Sequence, residues 1–227
     1  MLRSLLWLEE VSSTQEVAKR VFVGTVVVAN RQTSGRGRLG RHWHSPEGGL
    51  YFSFSIPAGI KDEATLPLVI AHSVASYLKA LGFMPAIKWV NDLYVGGKKV
   101  CGVLTERLRD RIVIGVGINL NQESFPKDLE AISLRMLSGK TFDKVSFLLE
   151  LLGFIERDIE KLNAFGFVAF KQAIEDRLLF KDSEVILYTP EPVVGILRGI
   201  SEEGSLLLLT QEGLKSFSVG DLTLRAL

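Results

Sequence analysis

Several features that mark particular classes of protein are scarce or missing in this chain of 227 residues. A single cysteine, Cys101, leaves no disulfide to form within the chain, which argues against a small disulfide-stapled secreted protein. No run of about eighteen uncharged apolar residues is present to span a membrane. The apolar start of the chain is too short for a secretory signal and runs into Glu9 and Glu10. We therefore expect a cytoplasmic protein that is not anchored in a membrane.

The chain also lacks an excess of charge of either sign. Its 27 basic and 26 acidic side chains leave a net charge of +1, whereas general nucleic-acid binders normally carry a strong basic excess. A cluster of arginines between residues 31 and 41 is the exception, and such local charge indicates a binding site. A nucleic-acid-binding module that uses this cluster is an alternative. A salt titration against RNA would test it, because phosphate binding weakens steeply with salt.

The most distinctive stretch is residues 35–41, which we call the arginine loop. It holds three glycines and three arginines in seven residues, and Trp43 follows it. Glycine allows the backbone to approach a ligand closely, and the arginine fork fits carboxylate and phosphate groups. The flat face of a tryptophan is suited to stacking on a base. The stretch therefore predicts a mobile anion-binding loop, followed by a platform for a purine and then by a strand.

The glycines of the arginine loop also fit the dinucleotide-binding spacing Gly-x-Gly-x-x-Gly, with Asp62 about twenty residues further on. That fingerprint requires its last glycine to open a helix. Residues 41–49, which contain Pro46 and two glycines, cannot form one. The lysine and hydroxyl of a P-loop are also missing from the loop. We reject both interpretations.

The hydrophobic pattern predicts an α/β fold: a mixed sheet with helices on one side, followed by a small barrel. A first helix is expected to begin at Ser12 or Ser13, with Glu16 at capping-box distance, and to end near Gly24. Strands are expected at 25–30, 50–56, 86–90, 100–107 and 111–120, and further helices at 65–81, 143–162 and 165–177. Short strands then alternate with turns at 184–188, 193–200, 205–209 and 215–219. We place one domain at residues 1–179 and a second at 180–227.

Lys99 is the strongest candidate for a functional side chain. It follows a Gly-Gly turn, and Asn91 and Asp92 precede it on the adjoining segment. A lysine in such a place is usually a solvated hairpin end, and an Asn-Asp pair usually caps a turn. Alternatively, the Lys99 ammonium lies near the arginines at a place that binds more than one negative group. Asp92 could then bind Mg²⁺ carried by a nucleotide. Gly115, in an apolar strand, either allows close ligand approach or marks a bend.

Other chemistry-bearing residues do not form a recognisable catalytic set. His42 and His44 lack a third ligand nearby in the sequence, so a metal site is not expected. Cys101 lies in an apolar strand and is interpreted as a core residue. No Ser-His-Asp arrangement is legible. If the protein is an enzyme, we expect it to act by positioning and charge stabilisation, without a covalent enzyme intermediate.

Four motifs together resemble those of the biotin protein ligases, the BirA-type enzymes. They are residues 35–43, 88–92, 99–102 and 115–119, in the order and at the spacings of that family. Ser13, Thr14, Gln15 and Gln32 fall where the family has biotin contacts, and residues 220–225 look like the closing motif of its small C-terminal domain. The resemblance covers nearly the whole chain, and the ordered set is far more specific than any single motif.

The resemblance implies a fold and an activity. The fold is a catalytic domain like that of the class II aminoacyl-tRNA synthetases, with helices packed on a mixed sheet, plus a small C-terminal SH3-like barrel. The activity consumes biotin and MgATP to form biotinyl-5′-AMP, and then transfers biotin to one lysine of a biotin carboxyl carrier protein. The resemblance also implies a homodimer. Only about a dozen residues precede Ser13, so we do not expect the DNA-binding domain of the family's repressor members.

The resemblance further implies roles for individual residues. Lys99 and Arg38 are the expected catalytic residues, and Asp92 the expected contact to Mg²⁺ held by ATP. The biotin-binding residues are expected to be Ser13, Thr14, Gln15, Gln32, Gly35, Arg36, Gly37, Arg38, Lys99 and Gly115. The ATP-binding residues are expected to be Arg36, Arg38, Arg41, Trp43, Asn91, Asn119 and Arg225.

Two residues depart from the family pattern. Val90 stands where the family usually has proline, and Cys101 where a small residue such as alanine is common. Neither removes a polar contact, although without proline the turn before Asn91 has to be fixed by packing. A lipoate–protein ligase, which shares the fold type, is the nearest alternative function, and a competition between biotin and lipoate would distinguish the two.

Overall fold

The computed structural model describes residues 3–218, together with the backbone of residues 225–226. A large sheet of seven strands has the order β1-β2-β3-β7-β6-β5-β4, and a second sheet of five has the order β11-β10-β9-β8-β12. The strands of the large sheet are β1 (Ser4–Val11), β2 (Thr25–Gln32), β3 (Leu50–Pro57), β4 (Ala86–Lys88), β5 (Asp92–Val95), β6 (Lys98–Arg107) and β7 (Arg111–Ile118). The strands of the small sheet are β8 (Glu184–Leu187), β9 (Val193–Ile200), β10 (Leu206–Thr210), β11 (Gly213–Phe217) and β12 (Arg225–Ala226). The α-helices are α1 (Thr14–Ala18), α2 (Leu66–Ala80), α3 (Leu134–Ser138), α4 (Lys144–Phe165) and α5 (Val168–Glu175).

The large sheet is mixed because only one of its strand pairs is parallel. β1 runs parallel to β2, whereas the other neighbours in the sheet are antiparallel. The small sheet is antiparallel throughout. The expected α/β class, with a mixed sheet followed by a small C-terminal β unit, is therefore confirmed.

Helices cover both faces of the large sheet, so the expectation that they lie on one side was wrong. Side chains alternate along β2: Val26 and Val28 belong to the main core, with α2 and α4, whereas Val27 packs with Ala18 of α1 on the opposite face. The period of two in a strand produces this division. Among the described α-helices, α1 is the one that packs on this second face, and the candidate site lies on the same face.

The small sheet shares the main core. Its inward side chains, such as Val185, Leu197 and Leu206, belong to the same apolar cluster as α2 and α4. A buried bond reinforces this packing, because Trp89 Nε1 donates to the Gly204 carbonyl oxygen over 2.9 Å. The second sheet is therefore held against the helices and the large sheet by apolar burial and by a specific polar contact.

Three strands and one helix were not predicted: β1, β5, β12 and α3. The first helix was predicted too long, because α1 ends at Ala18 rather than near Gly24. β5 and α3 are four and five residues long, too short for a periodic pattern to be visible. β1 is largely exposed at the sheet edge, so its pattern does not alternate cleanly. The Trp89–Val90 peptide bond is cis.

Candidate functional site

A cavity on the α1 face brings most of the predicted site residues together. It has about 850 Å³ of space, part of it open to solvent. Its predicted lining residues are Ser13, Thr14, Gln15, Gln32, Arg36, Gly37, Arg38, Arg41, Trp43, Asn91, Asp92, Lys99 and Gly115. Residues from α1, from strands β2, β5, β6 and β7, and from the arginine loop thus meet at one place, although they are distant in the sequence.

One end of the cavity is a neutral polar pocket between α1 and the sheet. Gln32 Oε1 accepts hydrogen bonds from the Thr14 backbone N–H at 2.8 Å and from its hydroxyl at 3.1 Å. Gln32 Nε2 donates to Ser45 Oγ at 2.9 Å, and the Thr14 and Ser53 hydroxyls lie 2.8 Å apart. These bonds fix the orientation of the Gln32 amide and so pre-organise the pocket. Such an end suits an uncharged polar group of a ligand.

Gln15 lies directly over Gly115 in β7, which leaves no room for a side chain at Gly115. A Cβ at this position would be 2.5 Å from Gln15 Oε1, a distance that real Cβ atoms do not tolerate. Gln15 Nε2 donates to the Val113 carbonyl at 3.2 Å, whereas its buried Oε1 has no hydrogen-bond partner. An unpartnered buried acceptor is costly, so this atom is suited to an N–H group of a ligand.

Trp43 packs on a second part of the sheet where glycines leave out side chains. It lies two residues further along the same face of β7. Gly117 and Gly102 are directly paired across β7 and β6. A Cβ would lie 2.5 Å from Trp43 Nε1 at Gly117 and 2.9 Å from Trp43 Cζ3 at Gly102. The indole ring therefore lies against the sheet where two side chains are missing. Its Nε1 is buried and without a hydrogen-bond partner.

Lys99 lies beside the Trp43 ring as a positioned cation. Its Nζ pairs with Asp92 Oδ2 at 2.5 Å and lies 5.2 Å from the centroid of the Trp43 ring. Backbone contacts with residues 130–132 fix its strand, because Lys99 N donates to the Glu130 carbonyl and Lys99 O accepts from Ile132. The ammonium group is thus held at the wall of the cavity by a carboxylate and an aromatic face.

Asp92 fits the part of a magnesium contact. Its Oδ1 is buried and without a hydrogen-bond partner, and Mg²⁺ takes one or two protein carboxylates together with phosphate oxygens of the substrate. Within residues 3–218, no group of three or more His, Cys, Asp or Glu side chains is placed to hold a metal ion alone. The residues present therefore fit a magnesium ion that arrives with a nucleotide.

The arginine loop forms a small closed turn over the cavity. The Gly37 N–H donates to the Arg41 carbonyl at 2.7 Å and the Trp43 N–H to the Gly35 carbonyl at 2.9 Å. Leu39, at the tip, has a left-handed backbone with φ of 56° and is 70% exposed. The loop thus presents an apolar side chain to solvent while its arginines line the cavity.

Arg36 links the arginine loop to helix α1. Its Nη1 lies 2.7 Å from Glu16 Oε1, which also pairs with Lys19 at 2.7 Å, and Lys19 reaches Glu106 at 3.1 Å. The hydrogen bond from Lys19, opposed by partial burial and assisted by the nearby positive charges, lowers the pKa of Glu16 below its usual range. The carboxylate is therefore charged at neutral pH and available to hold Arg36.

Arg38 meets the turn between β4 and β5. Its Nη1 donates to Asn91 Oδ1 at 3.4 Å, and Asn91 Nδ2 donates to the Val103 carbonyl at 2.9 Å. The Asn91 backbone also accepts from Val103 N. Asn91 is therefore fixed by β6 and forms a bridge to the arginine loop.

Three predicted site residues do not line the cavity in the part of the chain that the structure describes. Gly35, the first residue of the loop, packs against Ser45, because a Cβ at Gly35 would lie 2.4 Å from Ser45 Oγ. Asn119 is buried and donates to the Lys99 carbonyl at 3.2 Å, so it supports the strand of Lys99. The side chain of Arg225 and residues 219–224, which include most of the expected closing motif, lie outside the described residues.

Sequence reasoning left out several residues that do line the cavity. Ser53, Trp89, Gly102 and Gly117 are among them. Some signals were present, because Ser53 alternates with apolar residues in β3, and Gly117 follows Gly115 at the spacing of one strand face. Trp89 lies in the motif at residues 88–92, but an apolar ring next to a strand is ordinarily a core residue, so it was not chosen as a site residue.

Cys101 lies in the core, as expected. It is fully buried in β6, and burial raises the pKa of its thiol above its usual range. A thiol that stays protonated is a poor nucleophile. Cys101 therefore takes no part in the chemistry of the cavity.

Comparison with known proteins identifies the class to which this fold and site belong. The profile described as "Biotin/lipoate A/B protein ligase family" matches residues 7–122, and that described as "Biotin protein ligase C terminal domain" matches residues 182–225. The chain therefore belongs to the biotin/lipoate protein ligase family.

Individual relatives narrow this class. The chain is similar to the bifunctional ligase/repressor BirA of Bacillus spizizenii, with 36% identity over 99% of this chain and 75% of that protein. It is similar to the biotin–[acetyl-CoA-carboxylase] ligase of Mycobacterium tuberculosis, with 30% identity over 82% of this chain and 73% of that one. Among solved structures, the biotin protein ligase of Aquifex aeolicus in complex with biotin and ATP matches with a TM-score of 0.94 and 42% identity over the whole of both chains.

No α-helix among the described residues is both long and apolar enough to span a membrane.

Proposed function

We propose that this protein is a biotin–protein ligase, an ATP-dependent, AMP-forming enzyme. The observation that carries the proposal is the layout along one face of β7. A neutral polar pocket at Gly115, an aromatic platform at Gly117 and a positioned lysine lie within one cavity. Alternate residues of a strand are about 7 Å apart, so the two compartments adjoin. The family membership and the named relatives support the same conclusion.

The first half-reaction joins two anions. A carboxylate oxygen of biotin attacks the α-phosphorus of ATP, a new P–O bond forms, and the bond to the leaving pyrophosphate breaks. Lys99, Arg36, Arg38 and Arg41 are the cations that line the cavity and offset this repulsion. Because reactants held in the correct geometry gain effective molarities of about 10⁵–10⁸ M, no enzyme nucleophile is required.

The second half-reaction transfers the acyl group. The neutral amine of an acceptor lysine attacks the carbonyl carbon of biotinyl-5′-AMP, an amide bond forms, and the bond to the AMP oxygen breaks as the amine loses a proton. In our assignment Lys99 stabilises the charge that develops on the carbonyl oxygen. We propose a biotin carboxyl carrier protein as the acceptor, consistent with the relatives named biotin–[acetyl-CoA-carboxylase] ligases.

The remaining roles follow the two compartments. The ureido ring of biotin would lie in the polar pocket with Ser13, Thr14, Gln15 and Gln32. The adenine would stack on Trp43, and Asn91 would hydrogen-bond its edge. Asp92 would contact Mg²⁺ bound to ATP, and the ion supplies charge neutralisation to the phosphates when bound. Arg38, which already contacts Asn91, would bridge the two substrates.

Other expectations from the sequence remain part of the proposal. They are a homodimer, a cytoplasmic location, and a boundary between two domains at residues 179 and 180. The match of a separate C-terminal profile to residues 182–225 supports the boundary.

Mass spectrometry of a biotin carboxyl carrier domain tests the function directly. The domain is incubated with the protein, biotin and MgATP, and one biotinyl group on a single lysine is the expected result. A parallel reaction without ATP is the control, and one with lipoate in place of biotin tests the alternative substrate. An unmodified domain, or modification by lipoate alone, would contradict the proposal.

A further inference from the structure

Trp89 links the candidate site to the small C-terminal sheet. It lines the candidate site and is only 3% exposed. Its indole N–H donates to the carbonyl of Gly204, in the turn between β9 and β10 of the small sheet. No described residue that follows Gly117 in the sequence lines the cavity. The small sheet therefore contacts the wall of the site without lining it.

The turn that receives this bond is rigidly held. Gly204 has a left-handed backbone with φ of +80°, and a Cβ there would lie 3.2 Å from both Leu68 and Thr65 of the catalytic part. Ser201 braces the turn, because its hydroxyl accepts from the backbone N–H groups of Glu203 and Ser205, both at 3.2 Å. These contacts hold the Gly204 carbonyl in place against residues 65–68, at the start of α2.

The bond from Trp89 to Gly204 holds the segment that carries Asn91 and Asp92, the residues that we assign to ATP and its Mg²⁺. Trp89 stands two residues before Asn91 and three before Asp92, in the connection between β4 and β5. Asn91 contacts Arg38, and Asp92 pairs with Lys99. A displacement of Trp89 would shift this short connection and move both side chains relative to the two cations.

We propose that Trp89 is a positioning residue through which the small C-terminal sheet sets the nucleotide side of the site. The Gly204 carbonyl orients the indole, and the indole orients Asn91 and Asp92. The inference rests on the proposed function, because it assigns that side of the cavity to ATP. It predicts that a substitution in the small sheet, outside the cavity, changes ATP affinity while leaving biotin affinity nearly unchanged.

The test compares two substitutions at the two ends of the bond. Trp89→Phe keeps an aromatic ring but removes the N–H, and Gly204→Ala displaces the carbonyl from the other side. ATP and biotin affinities are measured by calorimetry, which needs no turnover, and thermal melts record stability. Each variant is expected to raise the Kd for ATP about five- to tenfold, the loss of roughly one oriented hydrogen bond, with the Kd for biotin within about twofold.

A matched control loosens the same interface elsewhere. Glu175 on α5 accepts from Ile200 N of β9 at 2.9 Å and pairs with Lys171, and it is not among the residues that line the cavity. Glu175→Gln is therefore expected to lower the melting temperature without changing the Kd for ATP. The double variant of Trp89 and Gly204 is expected to weaken ATP binding less than the sum of the two single effects, because both remove one interaction.

The outcomes separate the inference from the proposed function. If the wild type binds ATP and both variants melt earlier with an unchanged Kd for ATP, or their effects add fully, the inference is overturned and the function stands. If either variant does not fold, the other carries the same comparison of ATP with biotin. A wild type that binds neither ATP nor biotin would overturn both the function and the inference.

Discussion

Adding one methyl group at either of two neighbouring glycines should affect the two substrates differently. Gly117→Ala places a Cβ 2.5 Å from Trp43 Nε1, and Gly115→Ala places one 2.5 Å from Gln15 Oε1. Neither glycine has a left-handed φ, so alanine is compatible with the backbone and only the neighbouring side chain has to move. The two substitutions are chemically identical and lie on the same face of one strand.

The expected magnitude follows from the cost of overpacking. Inserting a methyl group into a packed site costs about 1–3 kcal/mol, which corresponds to a factor of about 5–150 in affinity if the displaced group contacts the ligand. Gly117→Ala is expected to raise the Kd for ATP by such a factor because it lifts the indole from the sheet. Gly115→Ala is expected to raise the Kd for biotin because it displaces the Gln15 amide.

Calorimetric titration of each variant with each ligand is the assay. The control is Gly153→Ala in the middle of α4, where a Cβ meets nothing within 4 Å. It should leave both affinities unchanged and stabilise the fold by about 0.5–1 kcal/mol, because alanine favours a helix over glycine. Equal losses for both ligands in both variants, or no loss in either, would refute the assignment of the two compartments.

Three further substitutions or probes test other parts of the structure. Glu16→Gln removes the charged partner of Arg36. Because an exposed ion pair contributes about 0.2–1 kcal/mol, biotinyl-5′-AMP should dissociate about 1.5–5 times faster from this variant in stopped-flow fluorescence. An unchanged dissociation rate would argue against the role of Glu16 in holding Arg36. Since the pKa of Glu16 is lowered, the stabilisation is present at neutral pH and is lost only as pH falls through that lowered pKa, where the rates of variant and wild type should converge. Ser133→Ala removes the N-cap of α3 and the donor to the Gln122 carbonyl, and should lower the free energy of unfolding by about 1–2 kcal/mol in urea; a value near zero would contradict the capping role. Cys101 should resist a thiol reagent in the native protein and react only in denaturant, because burial raises its pKa; stoichiometric labelling without denaturant would show that the strand is open.

The parts of the fold that local pattern determines could be predicted from sequence. The strand before the arginine loop, the strand after it and the long helix α4 all have strong periodicity or β-branched composition, and they appear within a few residues of their expected bounds. β1 could not be found this way. Its pairing with β2 is a tertiary contact, in which Ser4 aligns with Thr25, and an edge strand leaves a weak hydrophobic pattern.

The site shows the same division. Sequence motifs indicated the arginines, Lys99 and Gly115, because these residue types carry recognisable chemistry. The platform for Trp43 depends on Gly102 standing opposite Gly117, and strand register cannot be read from either segment alone. The role that we propose for Trp89 depends on a turn more than a hundred residues away, which no local pattern encodes.

The most direct test of the central claim is biotin-dependent exchange of pyrophosphate into ATP by wild type, Lys99→Ala and Lys98→Ala. Lys98 is the exposed neighbour of Lys99 at the start of β6 and does not line the cavity. Exchange should be present in wild type, retained in the Lys98 variant, and reduced by about a hundredfold or more in the Lys99 variant, as expected when a preorganised charge contact to the reacting group is lost. Near-wild-type exchange without Lys99 would contradict the assignment of its ammonium group to the acyl-transfer centre.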